Sequence, residues 1–276
     1  QYLPRCDMFV LRRFAFASFV LFLVIRLGAE PVQPQLVWET DGLGAPESVI
    51  YAAQQDRFYV SNLASRGKDR IPGDGFISKL AADGSMLELK WAVGLEDPKG
   101  LTIANGRLYV GDSPDLVEIS LATGEVLSRY RPADGGDGQF NDCTADPDGN
   151  VYVYSSRLNK VYRLKGGKFT AWYDVDTAIT GGLNGLRAEA ERLILGGWTV
   201  TGADGVEQLG HLNTVRFADQ KLARIGSGPL AHVDGIEPDG LGGYTVTDWL
   251  TGALTHAPQI GASYLLLQLE RGTADH

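Results

Sequence analysis

The sequence predicts an all-β fold of the β-propeller type, on three observations. Five similar passages recur along the chain, with 52, 42, 43 and 50 residues between their leading polar residues. Each repeat holds about four short strand candidates, and beyond residue 29 no stretch shows sustained helical periodicity with caps. Units of roughly 40 to 50 residues with four strands each are typical of propeller blades.

Each passage places a polar residue near a Gly or Pro and follows it with a short β-type strand. In chain order they read PESVIYAAQQDRFYVSN, PKGLTIANGRLYVGD, FNDCTADPDGNVYVYSS, LNGLRAEAERLILGGW and VDGIEPDGLGGYTVTDW. The middle of the strand comes 10 to 12 residues after the leading polar residue, at Tyr59, Tyr109, Tyr152, Ile194 and Thr245. These strands are rich in β-branched and aromatic residues, which favour a pleated, half-buried position.

Further strand candidates fill the space between the passages. They include GFISKLA, LVEISLA, KVYRLKG and LNTVRFA, followed by turn signals such as Asp83-Gly84, Thr123-Gly124 and Gly166-Gly167. Four strands per unit give each blade short edges, which radial stacking protects from pairing with other chains.

The leading polar residues are predicted to meet at the propeller axis. In a radial arrangement, the innermost strand of every blade presents its equivalent position to the central channel at the same depth. The five versions of that position are Glu47, Lys99, Asn141, Asn184 and Asp234. A ring of oxygen donors costs desolvation energy unless a cation or water satisfies it, so the pattern predicts a bound ligand. The alternative is that these polar residues cap turns between strands.

Residues 1–29 are predicted to be upstream sequence and a signal peptide, and residues 30–276 a single propeller domain. After Met8 come Arg12 and Arg13, an apolar run over residues 14–25, and a cleavage context after Ala29. As a helix the run would span about 18 Å, against roughly 30 Å of hydrocarbon in a bilayer, so no stable membrane span is expected. We expect a periplasmic or secreted protein, with an uncleaved anchor as the alternative.

Charge and cysteine content exclude two classes of site. The formal net charge is -9 with no basic stripe, which argues against nucleic acid as a partner. Cys143 alone remains after leader removal, so no internal disulfide is expected, and Cys143 is predicted to be a small packed residue. The sequence does not indicate an oligomeric state.

Four short motifs carry a resemblance to a known family. APESV, FND followed by DPDG, LNGL and VDGIEPDG resemble motifs of the family of senescence marker protein, gluconolactonase and luciferin-regenerating enzyme, whose relatives include diisopropyl fluorophosphatase. The resemblance covers nearly all of residues 36–276 at the level of repeats. It implies six blades, of which the last is incomplete in this chain. It also implies a divalent metal, usually calcium, held by Glu47, Asn141, Asn184 and Asp234.

The implied donor set suits a hard cation. Two carboxylates and two carboxamides match Ca²⁺ once water or substrate completes six to eight oxygen ligands, and Mg²⁺ or Mn²⁺ would also be accepted. Zinc is poorly supported, because the chain has only four His and none of them lies in a His-Glu-x-x-His arrangement.

The chain departs from the family pattern at several points. Its first motif reads Glu-Ser-Val where Glu-Gly-Pro is usual, and Gln139 stands where sugar lactonases of the family tend to have Arg, which puts a sugar lactone in doubt. A sixth unit should begin near GTADH, where the sequence given stops. The segment QLVWET at 35–40 is expected to complete the last blade as a closing strand. The hypothesis that follows is a truncated reading of a longer protein.

The function implied by the resemblance is metal-dependent hydrolysis of lactones or related esters, a small-molecule reaction. Asp234 is expected to accept a proton from water or attack directly, with Asp142 as a second catalytic or substrate-binding candidate that would otherwise bond backbone. Lys99 and Gln139 are the other substrate-binding candidates. Lys99 would hold an anionic group or a carbonyl oxygen, or only balance ring charge.

Several other residues, and the function itself, have more than one interpretation. His232, two residues before Asp234, would be a base or a structural histidine. Trp198 and Trp249 would wall a pocket or pack between blades. A nucleophilic serine has little support, since no Gly-x-Ser-x-Gly stretch occurs. A non-catalytic propeller that binds a small molecule or partner protein, with a structural ion, is the competing function.

Overall fold

The computed structural model describes residues 34–65, 67–133 and 138–276. The predicted leader over residues 1–29, and the export that it implies, lie outside this part of the chain. Within the described ranges, no helix combines the length and the apolar character that a membrane crossing requires.

Five antiparallel sheets of four strands each make up the described residues, and in each sheet the strands pair in chain order. Blade 1 contains β1 (Pro46–Ala52), β2 (Arg57–Asn62), β3 (Gly75–Ala81) and β4 (Met86–Leu95). Blade 2 contains β5 (Leu101–Ala104), β6 (Arg107–Gly111), β7 (Leu116–Ser120) and β8 (Val126–Tyr130). Blade 3 contains β9 (Phe140–Ala145), β10 (Val151–Ser155), β11 (Lys160–Lys165) and β12 (Lys168–Asp174).

Blade 4 carries an insertion between its second and third strands. It contains β13 (Leu183–Ala188), β14 (Arg192–Gly197), β17 (Leu212–Arg216) and β18 (Leu222–Ile225), with a hairpin of β15 (Thr199–Thr201) and β16 (Glu207–Leu209). Blade 5 contains β19 (Val233–Pro238), β20 (Gly243–Asp248), β21 (Ala253–Pro258) and β22 (Tyr264–Gln268). Helical structure in the described ranges is limited to a 3₁₀ turn at Gly67–Asp69 and the short helix α1 at Thr177–Thr180.

The strand middles predicted from the sequence all lie in the second strand of a blade. Tyr59, Tyr152 and Ile194 are at most 1% exposed, because the faces of these strands pack against the neighbouring blades. Four buried clusters fill the spaces between successive blades 1 to 5. Cys143 is free and buried as expected, and its thiol donates to the carbonyl of Gly100 at 3.2 Å.

The first strands of successive blades contact one another around the axis, in the order β1, β5, β9, β13 and β19. Two glycines, Gly111 of β6 and Gly185 of β13, allow neighbouring blades to approach closely at the axis. A Cβ on Gly111 would lie 2.2 Å from the carbonyl oxygen of Asn141, and one on Gly185 would lie 1.9 Å from that of Asp234. Real Cβ atoms do not come so close to a backbone oxygen, so these positions require glycine.

The described residues form five complete blades, where the resemblance implied six with the last incomplete. Residues 272–276 lie between β19 and β1. The amide of Asp275 donates to the carbonyl of Glu47 at 3.4 Å, and the hydroxyl of Thr247 donates to the carbonyl of Ala274 at 2.7 Å. This segment therefore contacts the inner edges of both blade 5 and blade 1.

The prediction of a closing strand at 35–40 is wrong, since this segment has no strand. Trp38 packs edge-on against Phe58 of β2, with ring centroids 5.2 Å apart, and lies on Gly84 in the turn between β3 and β4. The hydroxyl of Thr40 donates to the carbonyl of the same glycine at 2.5 Å. Burial of the Trp38 ring thus ties the segment to blade 1.

Candidate functional site

A cavity of about 490 Å³ opens at the propeller axis, and all five predicted ring residues line it. They are Glu47, Lys99, Asn141, Asn184 and Asp234, one from each blade. The expectation that equivalent positions of successive blades face one site therefore agrees with the geometry.

A repeated break in strand register aims these side chains. In blade 4, Leu183 pairs with Gly197 and Leu186 with Leu195, so β13 has one residue more than β14 over this stretch. The same extra residue occurs at the equivalent places in blades 1, 3 and 5. Such a β-bulge bends the strand and redirects a side chain. The bulges coincide with Glu47, Asn141, Asn184 and Asp234.

Blade 2 has a related geometry before β5 begins. The amide of Lys99 donates to the carbonyl of Gly111 at 2.9 Å, while the amide of Gly111 donates to the carbonyl of Gly100 at 2.9 Å. Two successive residues thus share one partner, as in a bulge. A common backbone device in all five blades explains why the sequence repeat and the spatial ring coincide.

The polar side chains of blades 3, 4 and 5 contact one another directly. The amide nitrogen Nδ2 of Asn141 donates to Oδ1 of Asn184. A hydrogen bond from Asn184 in turn reaches the carboxyl of Asp234. Three of the four predicted ligands therefore form a continuous chain of contacts.

Both carboxyl groups of the ring resist ionisation. Burial raises the pKa of Glu47 well above its usual range, and the charge of Asp234 adds to the effect. Burial and the nearby Asp275 raise the pKa of Asp234 to about 7, although Asn184 and Lys99 oppose the shift. A bound cation would relieve this cost, because it favours the ionised form of both groups.

Asp275 is a buried carboxyl beside the cavity that sequence reasoning missed; it does not line the cavity but raises the pKa values of Glu47 and Asp234. It accepts hydrogen bonds from the hydroxyl of Ser48 at 2.6 Å and from the amide of His276 at 2.9 Å, and burial raises its pKa. The signal was available, because Asp275 follows Asp234 by 41 residues, close to the blade repeat. It was overlooked because no strand pattern follows it in the given sequence.

Asp142 and Gln139 are not found among the described residues that line the axial cavity. Oδ1 of Asp142 accepts the amide of Cys143 at 2.7 Å, and Oδ2 accepts the amide of Leu186 at 2.5 Å. The second bond ties blade 3 to blade 4, so the geometry favours a structural role. Gln139 is exposed, and its carbonyl accepts the amide of Ser156 at 3.2 Å.

His232 also lies beside the cavity lining rather than in it. Its Nδ1 is 3.3 Å from Oδ2 of Asp248, whose carboxylate also accepts the His232 amide at 3.0 Å. The imidazole packs edge-on against Trp198, with ring centroids 5.3 Å apart. Burial raises the pKa of Asp248, but backbone hydrogen bonds from His232 and Thr251 outweigh it and leave the pKa below its usual value.

The mouth of the cavity has two different walls. On the side of blades 1 and 2, Arg70 is paired with Glu96 at 3.2 Å, and Lys99 is paired with Asp97 at 3.2 Å. On the side of blades 4 and 5 stands the aromatic wall, formed by Trp198 and Trp249, whose ring centroids are 6.2 Å apart.

The residues present fit a hard cation. Two carboxylates and two carboxamides converge on one cavity, and oxygen donors of this kind are those that Ca²⁺ prefers. No grouping of three or more His, Cys, Asp or Glu side chains with metal-binding geometry occurs in the described ranges. Any metal at the axis would therefore depend on the two asparagines.

Comparisons with known proteins identify the fold. No family model and no curated protein matches the sequence. Among solved structures, a gluconolactonase from Xanthomonas campestris is 17% identical, with a TM-score of 0.62, over 83% of this chain and 78% of its own. The calcium-binding protein regucalcin from Agrobacterium tumefaciens is 15% identical, with a TM-score of 0.58, over 84% and 77%.

A third similar structure carries a different activity. An inactive variant of virginiamycin B lyase from Staphylococcus aureus, solved with quinupristin, is 12% identical, with a TM-score of 0.56, over 89% of this chain and 78% of its own. At these identities the comparisons establish the propeller fold and agree with the resemblance to the gluconolactonase group. They leave the chemistry to the residues of the site.

Proposed function

We propose that this protein is an exported, metal-dependent hydrolase of lactones or related esters. The convergence of Glu47, Asn141, Asn184 and Asp234 on one axial cavity carries the proposal. These residues would hold a divalent cation, most simply Ca²⁺, with Mg²⁺ or Mn²⁺ as substitutes. The fold shared with a gluconolactonase and a calcium-binding regucalcin supports the same reading.

A bound cation would act as a Lewis acid that polarises the substrate's carbonyl oxygen. Asp234 would accept the proton of an attacking water or attack the carbonyl itself, since its carboxyl lines the cavity next to the other donors of the proposed cation site. A bound cation would keep this carboxyl ionised and so able to act as the base or nucleophile.

Lys99 would position the substrate, and Asn184 would position the carboxyl of Asp234. The ammonium group of Lys99 has three N–H donors and uses one toward Asp97, so others remain to bond a carbonyl oxygen of the substrate. Asn184 connects Asn141 to Asp234 and would fix the orientation of the carboxyl. The catalytic role expected of Asp142 and the substrate role expected of Gln139 are not part of the proposal.

A sixth blade beside blade 1 and the export of residues 30–276 after removal of a leader belong to the same proposal. A groove of about 300 Å³ runs along blade 1 and is lined by apolar side chains, including Val49, Val60 and Leu80. Apolar sheet faces in a propeller normally pack on a neighbouring blade, which supports a sixth blade at this place. A periplasmic or extracellular location would follow from the leader.

The direct test combines metal analysis with turnover. Purified protein is assayed for bound metal and for hydrolysis of γ-butyrolactone and phenyl acetate, before and after treatment with EDTA, and after addition of Ca²⁺, Mg²⁺ or Mn²⁺. We expect activity to disappear with EDTA and return with one of these ions. Absence of turnover, together with a lower melting temperature after EDTA, would favour a second candidate, a non-catalytic binding propeller with a structural ion.

A further inference from the structure

The two walls at the cavity mouth differ in what they offer a ligand. The ionic wall, made by Arg70 and Lys99, is already neutralised, because each cation has a carboxylate partner at 3.2 Å. A substrate anion that bonds Arg70 or Lys99 would meet the negative charge of their carboxylate partners and, in the cavity, that of Glu47 and Asp234. The site thus gives no net attraction to an anionic substituent.

On the blade 4 side, hydrogen bonds fix the backbone that carries the aromatic wall. The amide of Trp198 donates to the carbonyl of Gly182 at 2.8 Å, and its carbonyl accepts the amide of Gly210 at 2.9 Å. The backbones that enter and leave the β15–β16 hairpin are in close contact, since a Cβ on Gly210 would lie 1.8 Å from the carbonyl oxygen of Gly197. Trp198 therefore stands on a fixed base.

Trp249 is held just as firmly on blade 5. Its carbonyl accepts the amide of Gly272 at 2.8 Å, and the guanidinium of Arg271 lies 5.9 Å from the centre of its ring. The turn after it is closed by Asp248, which accepts the amides of Leu250 and Thr251 at 3.0 Å each. Both tryptophans nevertheless remain partly exposed at the cavity.

A partly exposed pair of tryptophans on firmly bonded backbone, next to the donors that would hold the cation, forms a stacking surface for a ring. We propose that the substrate is a neutral lactone or ester that carries a flat, apolar ring, and that this ring packs against Trp198 and Trp249 while the carbonyl oxygen lies toward the cation that Glu47 and Asp234 would hold. The inference rests on the proposed hydrolase function and names its substrate class. Aromatic contacts prefer offset or edge-on geometry with centroids 4.5–7 Å apart, which the tilted pair allows.

The test compares substrates that differ only in the ring. Turnover of γ-phenyl-γ-butyrolactone is measured relative to γ-butyrolactone for the wild type, W198L and W249L, with W38L as a matched control away from the cavity. We expect the preference of kcat/KM for the phenyl compound to fall about tenfold in each cavity variant and to persist in W38L. W198F and W249F should retain most of the preference. W198M and W249M, which keep apolar volume without a ring, replace the leucine variants if those do not fold.

Binding without turnover separates this inference from the proposed function. Calorimetry with 5-phenyl-2-pyrrolidinone and 2-pyrrolidinone, lactams that resist hydrolysis, should show a preference for the phenyl compound that W249L lowers about tenfold. Trp-dependent binding without any lactone hydrolysis would keep the ring subsite and remove the hydrolase. Hydrolysis with a preference that is the same in all variants would keep the hydrolase and overturn the ring subsite. Failure of both assays, or a Trp-dependent preference for D-glucono-δ-lactone over the phenyl compound, would overturn the inference.

Discussion

The axial cavity and a second cavity on the outer part of blade 4 contrast in how their charges are compensated. The outer cavity is larger, about 660 Å³ against about 490 Å³. Both of its arginines are paired with carboxylates, since Nε of Arg192 lies 2.6 Å from Oε2 of Glu189 and Arg216 bonds Asp219. At the axis, Glu47 and Asp234 instead line one cavity with pKa values raised by burial. Converging, poorly compensated donors, rather than volume, distinguish a candidate site.

The difference between the two cavities is tested most directly by neutralising one carboxyl in each of them. D234N should reduce lactone turnover by roughly 10²- to 10⁴-fold and weaken cation binding, because it removes both the proton acceptor and a charged donor. E189Q in the outer cavity should leave turnover within about twofold of the wild type. Equal losses in the two variants, measured as kcat/KM and by calorimetry with Ca²⁺, would contradict the assignment of the axis.

Cation binding should stabilise the axis in a pH-dependent way. The pKa values of Glu47 and Asp234 are raised in the folded state, so the stability that they contribute without metal is greatest at low pH and is lost as pH rises. For Asp234 the loss is complete once pH passes the folded-state pKa of about 7. Ca²⁺ binds the ionised carboxylates, so its effect grows over the same interval.

We therefore expect the melting temperature of the metal-free protein to fall between pH 5.5 and pH 8. At a Ca²⁺ concentration 100 times the Kd, the gain at pH 8 should correspond to about 2.7 kcal/mol. Thermal unfolding in EDTA and in Ca²⁺ at both pH values provides the measurement. A Ca²⁺ effect that is larger at pH 5.5 would contradict proton competition at these carboxyls.

A substitution in the backbone around the axis should have a smaller effect, on the free energy of unfolding. G185A should destabilise the protein by roughly 1–3 kcal/mol, because its Cβ would overlap the carbonyl oxygen of Asp234. G182A is the matched control, since a Cβ there has no neighbour within 4 Å. Chemical denaturation compares the two variants, and similar losses of unfolding free energy would show that close approach of β13 and β19 is not the cause.

The smallest effect is expected at the outer cavity itself. E189Q should lower the free energy of unfolding by no more than about 1 kcal/mol, because ion pairs that reach solvent contribute little. The melting temperature of E189Q should respond to Ca²⁺ in the same way as that of the wild type. A Ca²⁺ response that differs from that of the wild type would place a cation site where the charges are already paired.

The blades and the ring positions were predictable from the sequence because both follow from spacing. A repeat near 40 to 50 residues identifies a blade, and one recurring polar position identifies the axis. The bulges that aim Asn184 and its counterparts were not predictable, because strand register depends on pairing with the next strand. The role of Asp142, which follows the ring residue Asn141, was also not predictable, because its oxygens accept hydrogen bonds from backbone amides of two different strands.

Tertiary contacts explain the remaining differences between the sequence prediction and the structure. The segment at 35–40 contains residues that favour strands, such as Val37, Trp38 and Thr40, but the ring of Trp38 packs over blade 1 on Phe58 and Gly84. Asp275 lacked a following strand pattern, although its position in the repeat placed it beside Glu47. A repeat position is thus a better guide to the axis than local strand propensity, which packing readily overrides.

The donors Glu47, Asn141, Asn184 and Asp234 come from both the early and the late parts of the chain. The complete set is therefore not in place until blades 1, 3, 4 and 5 have assembled around the axis. Binding of the proposed ion would then indicate that these blades have assembled, and not merely that a single sheet has folded. Partly folded chains would be unable to bind it.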